Sequence, residues 1–257
     1  VSTVVRRAPL LVLPAVLLAL STWQVVAHGP LLRLDARLSR AFVHPDRFSE
    51  ILSDLGNGQI AVPVLLVAIG YVLWRGRGSG MPRWWLPPLA AFVLMALVPA
   101  IIVPLKDWTA RPGTPVVPPA VGYFPSGHTA TAAVAYGSAT LLLLPWLRSP
   151  AARRSLVVLC TALVLGVSYG LVRRGYHWPL DVLASWCLCT VLLTSLSLVI
   201  GLSTRRSSSG PPRPGSGPGS PAMPSDHAAS DHAAPTRSHG SRTRRSSSSP
   251  SGSPGAS

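Results

Sequence analysis

Six stretches of the chain are apolar with few or no charges, at roughly 8–27, 58–74, 85–105, 129–147, 155–173 and 179–202. Crossing a hydrocarbon layer about 30 Å thick takes roughly 20 helical residues, and these stretches approach or reach that length. The pattern predicts an all-α membrane protein, a six-transmembrane-helix bundle. The second stretch is short and contains Pro63. Between the first two, Leu31, Leu34, Leu38 and Phe42 recur at helical spacing, with Arg33, Arg37 and Arg40 on another face. This predicts a helix lying in the membrane interface.

From about Ser203 the pattern breaks. Residues 203–257 are Ser, Pro, Gly and Arg with almost no large apolar side chain, a composition that buries too little surface to offset the entropy of ordering. The expected organisation is a membrane domain over 1–202, with its motif core at about 50–202, and a disordered tail over 203–257. The tail repeats Ser-Asp-His-Ala-Ala at 225–229 and 230–234. A tandem duplication in a low-complexity segment accounts for those histidines better than a metal site does.

Charge refines the picture. The net charge is +15, yet no basic face with interleaved aromatics suggests nucleic acid. Many arginines flank apolar runs or lie in the tail, where anionic lipid headgroups are the nearer partner. The first run follows Arg6 and Arg7 but lacks a small-residue cleavage pattern, so an uncleaved span is expected rather than a signal peptide. Cys160, Cys187 and Cys189 all fall inside apolar runs and read as small buried hydrophobes.

Counting arginines near the span ends favours a cytoplasmic N-terminus, with Arg6, Arg7, Arg75, Arg77, Arg83, Arg148, Arg153, Arg154, Arg205 and Arg206 inside. An even number of spans returns the C-terminus to the cytoplasm. It also places the end of the third span, the start of the fourth and the link between the last two at one mouth, on the outer face of the cell membrane.

Those three places hold the chemistry. Lys106, the sole lysine, opens Lys106-Asp107-Trp108-Thr109-Ala110-Arg111-Pro112; Pro125-Ser126-Gly127-His128 precedes the fourth span, and His177-Trp178-Pro179-Leu180-Asp181 opens the sixth. Charges at membrane depth are expensive and face a bundle interior or cavity. A phosphate ester needs cations and backbone donors around its non-bridging oxygens. Lys106 and Arg111 can supply the cations. Ser126 suits a helix N-cap, and Gly127 lets backbone N–H groups approach an anion. Asp181, four residues after His177, can accept from one ring nitrogen and leave the other free to attack phosphorus. The blander alternatives are a simple helix start at Pro125-Ser126 and a His–Asp pair that caps a helix.

These residues resemble the type 2 phosphatidic acid phosphatase (PAP2) superfamily over about residues 50–202. That family has a lysine-to-Arg-Pro motif, a Pro-Ser-Gly-His motif and a final arginine followed by His-x-x-x-Asp. The resemblance implies a membrane lipid phosphatase without a cofactor or metal, with His177 as nucleophile, Asp181 as its orienting partner and His128 as general acid. Lys106, Arg111, Ser126 and Gly127 would bind phosphate. With an outward-facing site it implies a polyprenyl substrate such as undecaprenyl diphosphate, and leaves phosphatidate, phosphatidylglycerol phosphate and polyprenyl phosphosugars open.

Two departures stand out. Four residues separate Lys106 from Arg111, a shorter spacing than the family's, which would place the arginine at Gly113. Gly170-Leu171 occupies the place of the family's Ser-Arg pair, leaving Arg173 and Arg174 as candidates for the missing cation. A non-catalytic lipid-phosphate binder or transporter on the same bundle is the competing expectation.

Overall fold

The computed structural model describes the backbone of residues 3–80 and 83–205 and the side chains of 9–80 and 83–201. The tail expected over 203–257 lies outside the described residues beyond Arg205, where the last helix ends.

The described residues form α1 (Thr3–Val26), α2 (Leu31–Phe42), α3 (Arg47–Asp54), α4 (Gly58–Arg77), α5 (Leu86–Thr109), α6 (Gly127–Leu143), a 3₁₀ turn (Leu144–Trp146), α7 (Pro150–Arg173) and α8 (Pro179–Arg205). Five helices, α1, α4, α5, α7 and α8, are long and apolar enough to cross a membrane. Their large apolar side chains point outward, with Val12, Val67 and Val158 each at least 60% exposed, which suits lipid and not water. The protein is therefore an integral membrane protein. The fourth expected span, 129–147, is the 17-residue α6 followed by the 3₁₀ turn.

α6 is the packing centre. Its sequence alternates Ala, Gly, Ser and Thr, and most of the helix is buried against α4, α5, α7 and α8. Small residues let helix backbones approach closely, which is how packing compensates for the lack of a hydrophobic drive between helices in lipid. At Gly137 a Cβ would come within 2.6 Å of the Leu193 side chain on α8. Prolines inside α1, α4 and α5 are tolerated because membrane helices can re-satisfy the backbone groups they free.

α2 inverts the arrangement of a helix on a water-soluble protein. Leu31, Leu34, Leu38 and Phe42 are exposed while Asp35 and Ser39 are buried, so its polar stripe faces protein and its leucines face away from it.

The short α3 is absent from the hydrophobic pattern. It begins with a capping box in which Asp46 accepts from Ser49 N–H and Ser49 Oγ accepts from Asp46 N–H. It lies on α7 where Gly170 leaves room: a Cβ there would come within 2.6 Å of Ser49 O and 2.7 Å of Ser53 N. Backbone atoms cannot swing aside. Gly170→Ala is expected to push α3 off α7 and cost about 1–3 kcal/mol, measurable as a lower unfolding midpoint in detergent. Leu171, where the family has arginine, is 1% exposed in the main apolar core. The family's Ser-Arg position is given over to helix packing in this chain.

Candidate active site

Lys106 lies in the last turn of α5, which ends at Ala110 in the left-handed conformation. The chain then folds back on itself. Gly122 and Tyr123 N–H both donate to Arg111 O, and Gly113 N–H donates to Ala120 O. This loop is tied to the segment before α8: Thr114 Oγ1 donates to Gly175 O, and Trp178 Nε1 donates to Pro112 O at 3.0 Å.

Ser126 caps α6, its Oγ accepting from Thr129 N–H at 3.3 Å. Its N–H donates to Asp181 O at 3.1 Å, and Ser185 Oγ donates to Ser126 O at 2.8 Å. Fully buried, Ser126 holds the start of α6 against α8. Gly127 and His128 occupy the first turn, where N–H groups lack intrahelical partners. A Cβ on Gly127 would lie in ordinary contact with Ile102 Cγ2 at 3.9 Å and Lys106 Cε at 4.0 Å, so the lysine side chain passes close to this turn.

The last segment brings His177 and Asp181 together. His177 Nδ1 is 3.3 Å from Asp181 Oδ2, which also accepts from Trp178 N–H at 3.2 Å. Asp181 Oδ1 accepts from Arg111 Nη1 at 2.5 Å. With the carboxylate held by a guanidinium, Nδ1 must be the protonated nitrogen, an assignment made from the network, and the Nε2 lone pair is left available. The His177 ring meets His128 edge-on at 6.4 Å and Tyr123 at 5.8 Å between centroids.

Three of the expected phosphate cations have other commitments. Arg111, 6% exposed, lies between two carboxylates, Asp181 and Asp35, each at 2.5 Å, with its guanidinium 5.3 Å from the Trp178 ring centroid. Arg173 pairs with Asp46 at 2.6 Å and Arg174 with Glu50 at 3.5 Å and the Tyr176 hydroxyl at 2.9 Å. Both therefore fasten the α3 segment to the end of α7, and neither lines the cleft beside Lys106. Arg173 and Arg174, expected as candidates for the missing cation, thus sit in pairs with acids of the α3 segment. The backbone bond from Ser49 and the Arg173 guanidinium hold the Asp46 carboxyl down to about 2.

Lys106 is different. Among the described residues no carboxylate lies within ion-pair distance of it. With Gly127 and His128 it lines an apolar cleft of about 590 Å³ between α4, α5 and α6, walled by Leu65, Phe92, Met95 and Val103 among others.

Sequence reasoning missed Asp35. It is 4% exposed; Oδ2 accepts from Arg111 Nη2, and Oδ1 accepts from Leu180 N–H at 2.9 Å. Burial raises its carboxyl above the ordinary range, and the Arg111 bond opposes that rise. The available signal was an acid four residues before Ser39 on an otherwise Leu/Arg helix. Among the described residues no group of three His, Cys, Asp or Glu side chains is placed to hold a metal ion.

Residues 87–205, which contain Lys106, Arg111, His128, His177 and Asp181, match the model of the PAP2 superfamily. This stretch is similar to that superfamily, and the match covers a little under half of the chain. The PAP2 fold is also seen in the crystal structure of a transmembrane PAP2-type phosphatidylglycerolphosphate phosphatase from Bacillus subtilis. The two are 23% identical with a TM-score of 0.59, over 75% of this chain and 96% of that one. No curated protein sequence matches the chain.

Proposed function

We propose that this protein is a PAP2-type phosphatase that removes phosphate from a membrane lipid through a phosphohistidine on His177. The observation that carries the reading is the His177–Asp181 pair, with its ring against that of His128, which lines an apolar cleft together with Lys106. A lipid diffusing in the bilayer would enter between α4 and α5 with its chain in the cleft and its phosphate at Lys106.

In the first step the Nε2 lone pair forms a bond to phosphorus as the bond to the leaving oxygen breaks, and His128 gives that oxygen a proton. In the second, His128 takes a proton from water, the resulting oxygen nucleophile attacks phosphorus, and the N–P bond breaks to release inorganic phosphate and neutral His177. Lys106 and the first-turn N–H groups of α6 stabilise the charge on the non-bridging oxygens. Arg111 can offer the N–H groups that its two carboxylates leave over. No step uses a metal.

The preferred substrate is a polyprenyl diphosphate such as undecaprenyl diphosphate, with the site on the outer face and both termini in the cytoplasm. This orientation requires α6 to count as a sixth span. The arginine distribution supports it, as does the packing of α6 against α4, α5, α7 and α8. The Bacillus neighbour makes phosphatidylglycerol phosphate the second lipid to try.

The test is phosphate release in detergent with EDTA from polyprenyl diphosphate, phosphatidate and phosphatidylglycerol phosphate, each across a range of pH. Release that survives chelation is expected, with a bell-shaped dependence because His177 must be neutral while His128 is protonated. Release abolished by EDTA, or a rate monotonic in pH, would sink this division of labour. The order of the three rates decides the lipid.

A further inference from the structure

We propose that Asp35 is a positioning residue of the active site, holding one end of Arg111 so that Asp181 can divide its two oxygens between Arg111 and His177. The inference rests on the histidine mechanism above. Its starting point is the inverted α2, which turns its leucines outward and sends a carboxylate into the protein.

A buried carboxylate is costly unless paired and hydrogen-bonded. Asp35 meets both conditions with one partner from each side of the site. Arg111 comes from the loop after α5, and Leu180 N–H belongs to the first turn of α8, where a free backbone donor and the helix dipole favour an anion. Asp35 thus joins the first motif segment to the third from an element that contains neither.

The bond pattern explains the consequence. Arg111 presents Nη1 to Asp181 and Nη2 to Asp35. Without the second carboxylate the guanidinium fork is free to take both oxygens of Asp181, the bidentate arrangement that arginine prefers. Asp181 Oδ2 would then be shared with His177 Nδ1 and Trp178 N–H, the bonds that orient the nucleophile.

Charge acts in the same direction. Asp35, Arg111 and Asp181 together carry one net negative charge beside the His177 ring, and neutralising Asp35 brings that sum to zero. The other groups around the pair are Lys106 from α5, His128 from α6 and Tyr123 from the connecting loop, with Asp54 at the end of α3 acting on His128. Arg173 and Arg174 of the α7 end are already paired. None of these changes when Asp35 is substituted.

The experiment compares wild type, Asp35→Asn and Asp35→Glu for pH profiles of phosphate release from polyprenyl diphosphate and phosphatidate in detergent. For Asp35→Asn, kcat should fall about tenfold to a hundredfold, the usual scale for a misplaced catalytic group. KM should stay near wild type, because Asp35 touches no substrate. The acid limb should move to lower pH, since a nearby negative charge has been removed. Asp35→Glu, one methylene longer but still charged, should lower kcat and leave the acid limb in place. An Asp35→Asn limb coincident with wild type overturns the proposal while the histidine mechanism stands. A wild-type profile without an acid limb instead overturns the mechanism, and the proposal with it. If Asp35→Asn does not fold, Asp35→Glu decides: a lowered kcat with an unmoved limb supports positioning, and wild-type kcat refutes it.

Discussion

His177→Ala is expected to lower phosphate release by roughly 10⁴-fold or more, the scale seen when a covalent nucleophile is removed, while the protein stays folded. The substitution leaves Asp181 with two of its partners, Arg111 and Trp178 N–H, so no buried charge is stranded. His128 still lines the cleft and Lys106 remains able to bind phosphate, so lipid affinity should change little. Labelled substrate should leave acid-labile, base-stable phosphate on the wild-type protein and none on the variant. His128→Ala makes the complementary case. Its loss should be about 10²–10⁴-fold with a lipid substrate, the usual contribution of general acid catalysis. Much of that loss should disappear with p-nitrophenyl phosphate, whose leaving group needs no proton. Equal losses of His128→Ala activity on both substrates would assign that ring a structural role. Substantial release by His177→Ala would remove the phosphohistidine step altogether.

Arg111→Ala should do the greatest damage to stability. It strands Asp35 and Asp181, at 4% and 0% exposure, without the cation between them. Removing one partner from a buried ion pair typically costs about 3–5 kcal/mol, and here two carboxylates lose the same partner. The effect is read as a lower unfolding midpoint in detergent at neutral pH. Acidification should narrow the gap between variant and wild type, because protonating the stranded carboxylates relieves the variant. Arg111→Lys keeps the charge as a point and cannot fork to both acids, so it should lie between the two. A wild-type midpoint for Arg111→Ala would show that water reaches the trio and that its geometry contributes little to the fold.

The parts of the site that could be read in advance are local. Pro125-Ser126-Gly127-His128 before an apolar run specifies a capped helix start by its own chemistry, and the structure shows Ser126 as that cap. His177 lies in the bend just before α8 and Asp181 in its first turn, so their contact needs little beyond the start of α8. The leucine spacing of α2 likewise sufficed to define a helix. It could not say which face would be buried, because in lipid the apolar face is the cheap one to expose.

What the sequence alone determined, then, is that this is a helical membrane protein and which short polar segments interrupt its apolar helices, since apolar length, capping and the helical repeat act over a few residues. The tertiary structure decided which cations remain free. Arg173 and Arg174 went to Asp46 and Glu50 because Gly170 admits α3 against α7; Arg111 went to Asp35, 76 residues away in the chain; and Lys106 was left facing the cleft. A side chain's partners at such separations depend on where whole helices pack, and neither spacing nor composition encodes that placement.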